Sequence, residues 1–499
     1  MISDQSFLSA EKPSGEFRRE LGLLSSTMIV VGSMVGSGIF IVSADIARTV
    51  GSAGYLLLVW VITGVFTLIA AFNYGTLARL LPHAGGQYVY LREAYGPLIG
   101  FLYGWTLFLI IQTGTIAAVA VAFAKFTSLF LPVLGEQNIL FALCTFKISA
   151  AQVVAIGSIV LLTYVNARGL REGKILQNTF TITKIVSLLV IIVLGIMVGK
   201  NSAAMSVNFT YFWSAFRTTV SSLGTVSIQP LTGIMLLSAL GVAMVGSLFS
   251  ADAWNNITFT AGEVVNPKRT IPISLVLGTG LVILLYLLCN VAYILVLPVA
   301  GQPEGPDIIS RGIQFAASDR VCTAAAGVIF GAPAQYIMAG LIMVATFGCN
   351  NGLILSGARV YYAMSRDRLF FQAASRLNKK SVPGMALAFQ AVWAGLLCLS
   401  GTYSDLLDYV IFAVLIFYSL TIGGILILKK KKLTAEHNSR GVRSFILPCA
   451  YILAAIAICV DLLIFKPTYT WPGVIIVMLG IPVYFFRKSA VKRKPWASD

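Results

Sequence analysis

Gly32-Ser33-Met34-Val35-Gly36-Ser37-Gly38-Ile39-Phe40 interrupts the first long apolar run of the chain, residues 22–48. Three glycines and two serines within seven residues weaken a helix and let other backbones come close. A helix that unwinds here frees the amides around Ser37 and Gly38 at the start of a second half-helix. Such amides, together with the helix dipole, suit a carboxylate. Gly32 and Gly36 also make a GxxxG pair, the pattern of plain helix packing, so the stretch alone leaves both readings open. A second interruption shifts the balance. Phe249-Ser250-Ala251-Asp252-Ala253-Trp254-Asn255-Asn256 lies within another apolar run and places a carboxylate inside it. An ionisable group in a lipid-embedded helix is expensive and faces a cavity or a partner.

The solvent of these runs is lipid. The chain has 499 residues, of which 58% are hydrophobic and 11% charged, against about a quarter charged in a soluble domain. Its many runs of about 20 apolar residues each suffice to cross a bilayer as helix. A β-barrel would instead alternate apolar and polar positions over short strands. The net charge of +17 sits in the loops between runs, so it does not point to nucleic acid. The first 20 residues are polar and charged, unlike a cleavable signal. Seven cysteines occur singly, without CxxC spacing, and read as small buried hydrophobes. With two histidines and no P-loop, no metal, cofactor or direct ATP drive is expected.

The runs read as about twelve spans: 22–48, 55–81, 90–131, 150–168, 175–198, 233–263, 271–298, 336–365, 384–402, 404–428, 444–466 and 469–486. The third exceeds one crossing, and is read as tilted or as beginning along the cytoplasmic surface. With a cytoplasmic N-terminus, the inner segments collect Arg18, Arg19, Arg79, Arg92, Arg168, Arg171, Lys174, Lys268, Arg269, the cluster from Arg366 to Lys380, Lys429 to Lys432 and Arg487 to Lys494. The outer segments keep scattered ones such as Arg48, Lys125 and Lys200. That is the positive-inside bias, with both termini inside the cell (inner) membrane. The expected segments are a cytoplasmic tail (1–20), five spans (21–198), an extracellular loop (199–232), five more spans (233–428), a basic cytoplasmic loop (429–443), two extra spans (444–486) and a cytoplasmic tail (487–499). Spans one to five and six to ten then enter from opposite sides, as in an inverted-repeat transporter whose site lies at broken helices. The two interruptions fall in spans one and six of that scheme.

Lys184 lies about ten residues into span five, near mid-depth. It either snorkels to an interface or pairs with backbone carbonyls or polar groups of span one. In the second case it can fill the role of Na⁺.

These features resemble the L-type amino acid transporter family of the amino acid–polyamine–organocation superfamily, including its bacterial members and the light subunits of heteromeric amino acid transporters. The resemblance runs from about Leu21 to Tyr484. It rests on GSGIF at 36–40, GGQYVYLREAYGP at 85–97, FSADAWN at 249–255 and GEVVNPKRTIP at 262–272. It implies an all-α, LeuT-like five-plus-five fold with helices one and six unwound mid-membrane. It also implies that the substrate carboxylate meets the Ser37 and Gly38 amides, with Gly36 beside them. The α-ammonium would meet carbonyls near Met34, Phe249, Ser250 and Asp252. Phe249 matches the family's aromatic outer gate, and Lys184 its coupling lysine, which accompanies sodium independence. The family's cystine/glutamate exchanger carries arginines where this chain has Gln112 and Val414, which disfavours acidic cargo. Asp252 matches an Asp of the light subunit accepting cationic and neutral amino acids; it either serves a dibasic cargo or bonds locally. Thr76 and Asn73 depart from the family pattern in span two. Cys144 lies in the loop where heteromeric relatives carry the cysteine that joins a single-span glycoprotein. Its apolar surroundings lack the family pattern, so no such partner is expected.

The expected function is sodium-independent exchange of neutral L-amino acids by alternating access. Gln112, Trp254, Asn350 and Asn351 are accessory candidates, the asparagines equally readable as interhelical packing bonds. A proton-coupled symporter using Lys184 or Asp252 is the nearest rival, and exchange of cationic plus neutral amino acids the next. A membrane enzyme would need a nucleophile–base pair or metal cluster, and a channel polar filter loops or charge rings; none is visible.

Overall fold

Backbone groups in lipid must find partners within their own segment, which leaves helices as the way across for runs of this kind. The computed structural model describes residues 19–143, 146–221, 225–399, 403–432 and 443–493, and there the runs are helical. Span one is two pieces, 1a (Leu23–Met34) and 1b (Gly38–Val50); span two is Ala53–Leu80. Span three is Pro97–Phe130, and span four Ala150–Arg168. Span five is Leu170–Met197, and span six opens with 6a (Gly233–Ser250) and resumes as the short Asn256–Phe259. Spans seven to twelve are Pro267–Val296, Ala332–Arg366, Gly384–Cys398, Tyr403–Lys432, Arg443–Phe465 and Pro467–Arg493. Among the described residues, ten helices are long and apolar enough to cross a membrane, eleven with the bent pair 1a–1b. Span nine, at 15 residues, is shorter than the ~20 residues of a full crossing. The protein is an all-α multi-pass membrane protein.

Of the two expectations for the excess length of the third run, a tilt or a start along the surface, the structure is in keeping with the second: the run begins outside the span itself. Its first part is a separate helix, Gln87–Tyr95, which ends at Gly96 before Pro97 restarts the chain as span three. The loops carry two small hairpins, Ile139–Leu143 with Phe146–Ser149 and Phe216–Val220 with Val226–Pro230. Cys144 and most of the 429–443 loop lie outside the described residues.

The pairing of spans shows a twofold order that sequence similarity does not. Two packs on seven, three on eight, four on nine and 1b on 6a. One packs on five as six does on ten, three on nine as eight on four, and three on ten as eight on five. Exchanging each span with the one five places along maps these contacts onto themselves. Spans one, two, six and seven form one group, and three, four, eight and nine another. Span three is the most enclosed, with 83% of its apolar window buried in protein; spans eleven and twelve, at 28% and 22%, are left to lipid on the periphery.

The chain enters at Leu21, and the end of the bundle that holds Leu21 is here termed the near end. At the far end, Arg48 bonds the Asp319 carboxylate and the Gln314 carbonyl, both at 2.7 Å, fixing 1b to the loop between spans seven and eight.

Candidate functional site

Half-helix 1a ends at Met34, and Val35 is extended (ψ 91°) before 1b begins after Ser37. The two halves are bent by 40°. A helix end leaves its last carbonyls without partners, and here each is met by a side chain. Lys184 Nζ donates to Gly32 O at 2.6 Å and Val35 O at 2.9 Å. Cys349 Sγ, from span eight, donates to Ser33 O at 3.0 Å. The Tyr286 hydroxyl, from span seven, donates to Met34 O at 3.0 Å. The lysine therefore does not snorkel; it is buried at the negative end of the 1a dipole. Gly32 and Gly36 also serve packing: a Cβ at Gly32 would overlap Gln177 and Thr181, and one at Gly36 would press on Cys349. The GxxxG pair thus packs closely and also brackets a break in the helix.

Span six unwinds over 251–255, where Ala253 takes a positive φ of 65°. The two breaks touch. A Cβ on Gly38 would overlap the Ser250 hydroxyl, so only glycine permits this approach. Tyr286 joins them, since its hydroxyl lies 3.2 Å from Ser250 O as well as 3.0 Å from Met34 O. Met34, Ser37, Gly38, Phe249 and Ser250 are thus gathered at one junction and all are buried. Phe249 O accepts from the Asp252 amide at 3.2 Å. The junction is covered at both ends. Toward the far end 6a lies against 1b so closely that a Cβ on Gly246 would overlap Val42. At the near end the Glu20 and Leu21 amides bond Glu263 O at 2.9 and 3.0 Å.

Beside the junction lies a cavity lined by Gln87, Gln112, Thr115, Asp252, Asn255 and Tyr418, with Val414 also on its wall. Asp252 accepts a 2.6 Å hydrogen bond from the Tyr418 hydroxyl of span ten. Among the described residues it forms no ion pair within 4 Å. Asp252 therefore makes a local bond and also has a place on the cavity wall. Gln112 donates to Leu353 O at 2.8 Å. It follows a π-helical turn, Leu107–Ile111, a local widening that is frequent at functional sites.

Not every candidate reaches the site. Asn351 accepts from Asn166 at 2.8 Å and donates to Gln177 at 3.0 Å, the packing role between spans four, five and eight. Asn350 is buried with its side-chain oxygen unpartnered and does not line the cavity. Trp254 packs edge-on to Tyr74, with ring centroids 4.8 Å apart, and against Tyr418. Asn73 bonds its own helix at Ile69 O and Thr76 at Phe72 O, at 2.8 and 3.4 Å.

Sequence reasoning missed Tyr286, Tyr418 and a chain in which Asn255 donates to Gln87, and Gln87 to Thr421, each at 3.0 Å. Gln87 stood inside the 85–97 motif, a signal available but unused. The tyrosines gave none, because a tyrosine in an apolar helix looks like any other large side chain.

A family model described as amino acid permease matches residues 21–489. The chain is 26% identical over 484 residues to the b(0,+)-type amino acid transporter 1 of Mus musculus, covering 97% of this chain and 90% of the relative. It is 28% identical over 471 residues to the large neutral amino acids transporter small subunit 2 of Homo sapiens, covering 94% and 80%.

Proposed function

We propose that this chain, which belongs to the amino acid permease family, is a sodium-independent exchanger of neutral L-amino acids working by alternating access. Membrane transport of amino acids is the family's business and that of the relatives named above. The finer reading is carried by one observation, the Lys184 ammonium bonded to Gly32 O and Val35 O at the break of span one. A fixed cation already satisfies carbonyls that a bound sodium ion would otherwise take, so no ion need enter with the cargo.

In this reading the carboxylate of the amino acid lands on the first amides of 1b, around Ser37 and Gly38, where the dipole favours negative charge. The ammonium shares the carbonyls of Met34, Phe249, Ser250 and Asp252. Phe249 covers the site as the outer gate, and Gln112 faces the cargo side chain. The near end is cytoplasmic in the cell membrane, as the arginine and lysine distribution supports. The chain works without a single-span glycoprotein partner. A second reading, exchange that also takes cationic amino acids, is favoured by Asp252, a cavity carboxylate without an ion pair among the described residues.

The test is uptake of a labelled amino acid panel into proteoliposomes holding the purified chain alone, without sodium or a pH gradient. Uptake into vesicles preloaded with unlabelled amino acid, and not into empty ones, is the expected result. Uptake into empty vesicles that follows an imposed proton gradient would replace the exchanger with a symporter. Labelled lysine or arginine entering as readily as leucine would establish the second reading.

A further inference from the structure

We propose that Glu263 and Arg359 form a releasable latch that holds the near, cytoplasmic gate shut; the sidedness rests on the reading above, the latch on its own geometry. Arg359 belongs to span eight, seven residues before that helix ends at Arg366, and is among the most deeply buried large side chains of the protein. Its Nε and Nη2 reach the same oxygen of Glu263, Oε1, at 3.1 and 3.0 Å. Its Nη1 is taken by the carbonyl of Leu355, one turn back. The second carboxylate oxygen of Glu263 is buried without a partner.

What the pair holds is more than two side chains. The Glu263 carbonyl accepts the amides of Glu20 and Leu21, and the Val265 amide donates to Leu21 O at 2.9 Å. Leu21 and Val264 thereby form a parallel bridge. Three backbone bonds join the entrance of span one to the exit of span six, so the two move as a unit. That unit belongs to the group of spans one, two, six and seven, whereas Arg359 belongs to the group of three, four, eight and nine. The ion pair therefore crosses the boundary between the groups at the near end. Any opening there that carries 1a away from span eight has to part the pair.

Two features make it a latch and not a weld. Separating a buried pair leaves each charge uncompensated unless water reaches it, so the pair resists partial opening and gives way when the gate floods. Also, the arginine fork grips one oxygen, whereas a bidentate pair on both oxygens is the stronger arrangement. The unpartnered Oε2 is what this weaker grip leaves over.

The experiment reads the gate directly, without substrate. Ser26→Cys places a thiol on 1a toward the near end, and Val42→Cys one on 1b toward the far end; both native residues are buried. Labelling by a charged maleimide in permeabilised membranes is timed in the parent, in Glu263→Gln, in the milder Glu263→Asp, and in the charge swap Glu263→Arg with Arg359→Glu. Relief of the latch is expected to speed labelling at position 26 by about tenfold and to slow it at position 42. That is the response to about a decade of shift in the closed-to-open ratio. The swap is expected to return both rates toward the parent. Labelling that rises at both positions reports a loosened fold, and labelling unchanged at both reports a pair that gates nothing; either overturns the proposal. A parent that fails to exchange in vesicles would defeat the exchanger and leave these labelling rates standing.

Discussion

Lys184 delivers its ammonium to the one place in span one where backbone carbonyls have lost their helical donors. Replacing it by methionine keeps the side chain as far as Cε and removes the ammonium with both its bonds. Each orphaned carbonyl then costs roughly 1–3 kcal/mol unless the break rearranges or an ion enters. Exchange by Lys184→Met should fall by at least about tenfold, a change of about 1.4 kcal/mol in the barrier, while the protein still reaches the membrane in normal amount. Initial rates in preloaded proteoliposomes check this, and an undiminished rate would remove the lysine from the mechanism. Lys184 and Asp252 were legible in the sequence for a common physical reason, charge inside an apolar run. Arg359 carried the same signal within the run read as span eight and was passed over. Tyr286 and Tyr418 carried no comparable signal, because their partners, backbone carbonyls and a carboxylate, come together only in the fold.

The half-helices are the elements on which the proposed binding turns, and their contact is steric before it is chemical. Gly38→Ala would push a methyl group into Ser250, so 1b and 6a could no longer meet as they do. Transport is expected to be lost in Gly38→Ala and regained only in part when Ser250→Gly is added, since that removes the two nearest atoms, at 2.0 and 2.5 Å, but leaves the backbone Cα of residue 250 at 2.8 Å. Uptake rates of the single and double variants, with equal amounts in the membrane, decide the matter; no recovery would mean that the glycine serves something other than this approach. The break in span one could be read from its glycines, and the end of the helix before span three from Gly96-Pro97. The π-turn before Gln112 could not. Its residues, Leu-Phe-Leu-Ile-Ile, suit an ordinary helix and carry no mark of the widening.

Across the whole molecule, the apolar runs located the helices and their order, but the partners of each helix emerged only from packing. The mirrored pairing of spans is built from shape, and unrelated side chains can fill the same shape. The proposed orientation makes a direct prediction: tags at residues 1 and 499 should both be cleaved from inside-out vesicles and protected in intact cells, and a tag split between the two sides would refute the even number of crossings. One feature of the bundle bears on how such a carrier diversifies. The carbonyls at the end of 1a are held from spans five, seven and eight at once, whereas the neighbouring cavity wall, with Gln112 and Val414, is made of side chains. In the site proposed above, the groups shared by every amino acid would be met by backbone, and what distinguishes one amino acid from another by replaceable residues. A saturation library should therefore tolerate change at positions 112 and 414 and reject it at 184 and 286. A new cargo can be reached by rebuilding the wall while the floor stays as it is.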